Sequence, residues 1–176
     1  IPVCAIVTTT TAKDMNPTAK EFAMSAEQSL QAAKDNLDRI LAAQGDRTIN
    51  NTLEPYNELM RLTGNVAEQS SLFYNVHPDP SVRDAAEKAE QDGSSFLTDV
   101  SLNRDVYDAL RQVSLDGADQ TTRFAVDKLL RDFRRSGVDK SQDVRDKIKT
   151  LNDELVKISQ EFSSNIRKDV RHIVLD

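Results

Sequence analysis

The sequence predicts an all-α chain, an array of about six antiparallel-type helices with a short β segment at its end. Three observations carry this. First, apolar residues recur at helical spacing through most of the 176 residues. Second, breakers are sparse, with five Gly and five Pro, and they fall between the periodic runs. Third, the last third carries one long stripe: Val144, Ile148, Leu151, Leu155, Ile158, Phe162 and Ile166 recur every three or four residues, which strand alternation cannot produce. The β-branched run at 170–176 reads as a strand cut off from its partner, so the chain reads as part of a larger protein.

The elements follow in order. Residues 1–16 read as an extended or flexible N-terminal tail, and 17–176 as one helical domain. The first helix is expected at about 17–44. Ser25 and Gln28 have the look of a capping box, so the helix starts either near Asn16 and Pro17 or at Ser25. Leu30, Ala33, Leu37 and Ile40 or Leu41 form its inner face, and Gly45 stands where a C-terminal cap belongs. Asn51 caps the second helix, with Pro55 tolerated near its first turn. Leu53, Tyr56, Met60, Thr63, Ala67, Ser70 and Tyr74 define a face running to about Asn75, and Gly64 is expected to admit a neighbouring helix.

His77 and Pro78 make a turn, then Asp79 caps a third helix with Pro80 at its first position. Val82, Ala86, Ala89, Gly93, Phe96 and Val100 give that helix, about 80–101, a seam of small residues for close packing. Asn103 caps a shorter helix with Val106, Leu110 and Val113 inward, broken at Asp116 and Gly117. Residues 118–135 are helical again with Phe124, Ala125, Leu129 and Phe133 inward, and Gly137 ends them. Ser141 caps the last helix, and Asp143 in its first turn suits the helix dipole.

Composition excludes several function classes. The formal net charge is -6, the wrong sign for a nucleic-acid or anionic-membrane surface. No apolar run reaches the roughly 20 residues that span a bilayer. One cysteine, Cys4, excludes an internal disulfide framework and fits a reducing compartment. The apolar start at 1–7 is short and has no basic leader, so a complete signal peptide is not visible. No fixed-period repeat is present, which argues against a solenoid.

The candidate chemical residues have plainer readings. His77 reads as a turn residue near a helix C-terminus, where a cationic imidazole is favoured. His172 reads as a water-facing residue of an alternating tail, and Cys4 has no basic neighbour to activate it. Asp84, Glu87 and Lys88, like Asp153, Glu154 and Lys157, read as ion pairs on solvated helix faces. Lys128, Arg131, Arg134 and Arg135 form one basic cluster, either an anion site or a set of cations complementing a helix C-terminus. Phe124, Phe133 and Phe162 read as core. Asn50, Asn51 and Thr52 form a glycosylation sequon, with Asn51 better used as a cap.

Five segments in order carry a resemblance. They are Asn51 to Leu53 with Pro55 and Leu59; Phe73 to Glu87 through His77, Pro78, Asp79 and Pro80; Leu102 to Tyr107; Leu129 to Val138 through Gly137; and Leu151 to Leu155 leading to Phe162, Asn165 and Ile166. Together they resemble the N-terminal region of the thimet oligopeptidase, neurolysin and oligopeptidase A family of zinc metallopeptidases, over about residues 20–176. The resemblance implies a parent that hydrolyses internal bonds of short peptides at a His-Glu-x-x-His zinc centre. In that family the helical N-terminal region forms a wall and rim of a channel that admits short peptides.

The zinc motif is missing here. The two histidines, His77 and His172, lack the spacing, and no Glu follows either by one residue. No catalytic or metal residue carries over, and the substrate-binding residues are unknown. The expected cofactor is therefore zinc in the parent and none in this chain. The expected partners are a catalytic domain beyond Asp176 and, for the parent, short peptides, with no nucleic acid and no membrane. The expected compartment is the cytoplasm, with export or the periplasm as the alternative. The rival reading is a stand-alone helical interaction module, in which the stripes at 80–101 and 141–170 bury against each other or a partner. A third reading is a coiled-coil homodimer through the last helix, whose seam is too mixed for a regular zipper.

Overall fold

In the computed structural model, residues 16–169 are described. They form six α-helices and one wide π-helical turn, with no strand among the described residues. The strand expected at 170–176 and the tail at 1–15 lie outside them.

Helix α1 spans Ala19–Ala42. Its capping box is made by Thr18 and Glu21, and Ser25 and Gln28 lie inside the helix. The true box sits seven residues earlier because Phe22 and Ala26 extend the buried face towards the N-terminus. The helix ends at Ala42, and its cap residue Ala43 is extended. Gly45 (φ 74°) turns the loop beyond rather than capping the helix.

The π turn Ile49–Leu53 precedes α2 at Glu54–Val76, and Glu54 N–H closes the wide turn on Ile49 O. Thr48 is the cap, and Asn51 is its reciprocal partner rather than the cap itself. Pro55 falls in the first turn of α2 as expected. The buried face of α2 uses Leu59 and Val66 where the sequence reading used Met60 and Ala67. Gly64 meets nothing within 4 Å at the place of a Cβ, so it admits no neighbour.

Helix α3, Pro80–Leu102, matches expectation along its whole inner face. Its Gly93 sits against Thr63 and Val66 of α2 and Leu30 of α1, so the small-residue seam seats two helices at once. Helix α4, Arg104–Arg111, is capped by Asn103. Helix α5, Gln120–Ser136, starts two residues later than expected because Asp119 is the cap.

The core lies between α1, α2 and α3 and is closed by α4 and one face of α5. Val126 and Phe133 supply that face, with Tyr56 and Tyr107 on either side of the Phe133 ring. Phe124 is 65% exposed and Ala125 is exposed, against expectation. The inward arc of α5 is set by Val126, Leu129, Leu130 and Phe133, one position round from the one expected.

Candidate functional site

Helix α6, Gln142–Lys168, is where the structure departs most from the sequence reading. Ser141 holds the cap position, but its hydroxyl makes no cap bond; Asp143 in the first turn and Arg167 and Lys168 in the last complement the dipole. The helix lies along α3 with its polar side inward. Gln160 is its one fully buried residue.

The inward contacts form a ladder. Arg145 donates to the free carbonyl of Leu102 at the end of α3 (2.8 Å), and Lys149 pairs with Asp99. Gln160 Nε2 donates to Glu87 O (3.1 Å) and to Glu90 (2.9 Å), while its Oε1 accepts from Gln91 (2.6 Å). The main-chain carbonyl of Gln160 accepts from Tyr74 Oη of α2. Arg167 donates to Tyr74 O (2.8 Å), with its guanidinium 4.6 Å from the Tyr74 ring centre. Only Ile148 of the stripe has an apolar seat, on the Cα of Gly137.

The rest of the stripe points away from the core. Leu155 is 61% exposed and Phe162 67%, and Val144, Leu151, Ile158 and Ile166 are similarly bare. Phe162 is therefore not a core residue of the described fold. The stripes of α3 and α6 do not bury against each other: α3 spends its small-residue seam on α1 and α2, and its polar edge receives α6.

The other candidates resolve simply. His77 is buried as the C-cap of α2; its Nδ1 accepts from Asp79 N–H (3.2 Å) and its Nε2 meets Asn16 Oδ1 (3.0 Å). Among the described residues no three metal-ligating side chains converge, and both His77 nitrogens are engaged, so these residues do not fit a zinc ion. Cys4 and His172 lie outside the described residues.

Lys88 pairs with Asp92 rather than Asp84, and no salt bridge joins Asp153 or Glu154 to Lys157. In the basic cluster, Asp132 holds Lys128 at 2.8 Å, with Arg135 at 4.0 Å, and Arg134 donates to Tyr107 Oη. Lys128 donates to the Asp132 carboxyl and holds it below the usual carboxylate range. Asp132 thus offsets part of the cluster's charge, and Arg134 is spent on Tyr107. Asn51 is spent on Thr48 N–H and Asp46 O, as the partner of the Thr48 cap.

Two of the surface clefts border α3. A groove of about 730 Å³ between α1 and α3 has Ala26, Leu30, Ala89 and Phe96 on its floor and both signs of charge on its rim. A second, about 410 Å³, lies where α6 starts, but its Asp99 and Lys149 already pair. Neither brings a nucleophile to a base. Sequence reasoning missed the network around Gln160 and Tyr74. No local signal marks it, because a glutamine on a polar helix face is ordinarily solvated.

No family model matches the chain. It is similar to oligopeptidase A of Escherichia coli (strain K12), 25% identical over 144 residues, which is 79% of this chain and 21% of that protein. It is 24% identical over 160 residues to the mitochondrial intermediate peptidase of Mycosarcoma maydis, covering 84% of this chain and 18% of the other. It is 25% identical over 162 residues to the thimet-like oligopeptidase of Dictyostelium discoideum, covering 85% and 24%. The chain therefore spans about a fifth of the length of the curated relatives it matches. These relatives are members of the thimet oligopeptidase family, in agreement with the resemblance read from the five segments.

Proposed function

We propose that this chain is the N-terminal helical region of a zinc-dependent oligopeptidase and supplies a wall of the channel that admits short peptides. The single observation that carries the reading is that most of the chain aligns with about a fifth of each of several such peptidases. The division into a tail at 1–16 and one helical domain at 17–176 belongs to the same proposal. So do a zinc ion held by the remainder of the parent, that remainder as partner, short peptides as substrates, and the cytoplasm as compartment. No helix among the described residues is long and apolar enough to cross a membrane.

On this reading the region contributes shape rather than chemistry. The test is a quenched fluorogenic peptide assay with added zinc. The purified chain is expected to give no turnover, and the full-length product of its gene is expected to give turnover that a chelator abolishes. Chelator-sensitive cleavage by the chain alone overturns the proposal, as does a gene product without peptidase activity.

The stand-alone interaction module remains the second reading, because the bare stripe of α6 would also suit a separate partner. It requires a natural stop near Asp176 and a specific binding protein.

A further inference from the structure

We propose that the outward stripe of α6 is the seat on which the remainder of the parent polypeptide folds; this rests on the reading just given. The stripe is Val144, Leu151, Leu155, Ile158, Phe162 and Ile166, all exposed among the described residues. Their combined bare apolar surface is on the order of 600 Å², at or above the largest patch an ordinary monomer leaves uncovered. A stripe of this size, flat along one helix and about six turns long, is a half-interface.

Three observations choose the occupant. The polar side of α6 is already committed to α2 and α3 through Arg145, Lys149, Gln160 and Arg167, so α6 cannot roll its stripe inward without breaking that ladder. The chain spans only about a fifth of the relatives it matches, so in a protein of that length most of the polypeptide is available to cover the face. The stripe mixes Phe162 among Val, Leu and Ile, which does not make the seam of a regular zipper, so a second copy of α6 is the poorer fit. Lys147, Glu154 and Glu161 flank the stripe on one side and are exposed, so the covering surface is apolar at its centre with a mixed polar rim.

The experiment is hydroxyl-radical footprinting of this chain and of the full-length product of its gene, with the mass of each measured in parallel. The chain is expected to be monomeric and strongly labelled at Leu155, Phe162 and Ile166. In the full-length protein labelling of the same residues falls several-fold without dimerisation. Replacing Leu155→Asp and Phe162→Asp together is expected to leave the melting temperature of the chain unchanged, because both side chains are exposed there. In the full-length protein the same pair is expected to restore labelling of Ile166.

A full-length product that stays labelled along the stripe overturns the proposal even if it cleaves peptides. A gene that ends with this chain and leaves the stripe labelled overturns it too. Protection that arises in the chain alone through a dimer, and is lost in the double variant, assigns the face to a second copy instead. Protection in a monomeric full-length protein without peptidase activity leaves the docking face standing and removes the functional reading.

Discussion

Tyr74 Oη donates a 2.6 Å hydrogen bond to the main-chain carbonyl of Gln160, joining residues 86 apart in sequence. Both residues are buried, and Gln160 turns its side chain the other way, into Glu87, Glu90 and Gln91 of α3. One polar contact thus ties α2, α3 and α6 at a single point. It is the reason a helix with seven apolar stripe residues docks by its hydrophilic side.

Tyr74→Phe is expected to cost about 1 kcal/mol, because Gln160 O keeps its own intrahelical donor while the buried bond is lost. Gln160→Ala is expected to cost more, about 1–3 kcal/mol, since it strips three side-chain bonds at once. Urea unfolding gives the totals. Amide exchange should rise in the C-terminal half of α6 and stay unchanged in α1; an even rise through all helices contradicts a local tie.

Gly137→Ala is expected to destabilise by about 1–2 kcal/mol, chiefly through left-handed strain, with a smaller steric part because the Ile148 terminal methyl can shift. Gly137 has φ 99°, and a Cβ there would lie 2.7 Å from Ile148 Cδ1. Ile148→Val removes that atom. The double variant should therefore lose less stability than the two single losses added together, and simple additivity in urea midpoints refutes the contact.

Asp79 and Asp119 cap α3 and α5, and hydrogen bonds from the main chain and hydroxyl of Ser81 and Thr122 hold their carboxyls below the usual carboxylate range. A depressed folded value contributes stability that is present above the unfolded value of about 3.9 and is lost as pH falls through the folded one. The urea midpoint should therefore fall as the pH drops below about 4. Asp79→Asn combined with Asp119→Asn keeps a capping acceptor and should flatten that fall. An unchanged pH profile in the double variant excludes the caps as its source.

Tyr56 lies in the core beside Phe133, and burial, aided by the Asp132 charge, pushes its hydroxyl up to about 12. The raised value reverses the sign: stability is intact below the unfolded value of about 10 and is lost as pH climbs from there towards the folded one. Absorbance titration should show Tyr56 ionising only with unfolding, and Tyr56→Phe should soften the alkaline transition. A Tyr56 that titrates near the ordinary phenol value in the folded chain contradicts its burial.

Much of the fold was legible because helix starts are local. Asp79 with Pro80, and Asn103, cap where their chemistry places them, since an N-cap needs only its own side chain and the next few N–H groups. The misreadings came from competition between equivalent signals. Ser25 and Gln28 match the pattern of a capping box as well as Thr18 and Glu21 do, and only the burial of Phe22 favours the earlier one. On α2 and α5 the face was misjudged by one position, because Met60 and Leu59, or Ala125 and Val126, are equally apolar in sequence. The inward network at Gln160 had no such signal at all.

The sequence alone determined the helices: their number, their breaks and the period of their apolar stripes, because these depend on bonds and side chains within a few residues of each other. Which way α6 faces was decided only in three dimensions. The surface it meets on α2 and α3 offers a phenol, carbonyls, a carboxylate and an amide, so its polar side finds partners there while its apolar side finds none. A stripe records that a helix has something to bury, and only the neighbouring surfaces determine against what.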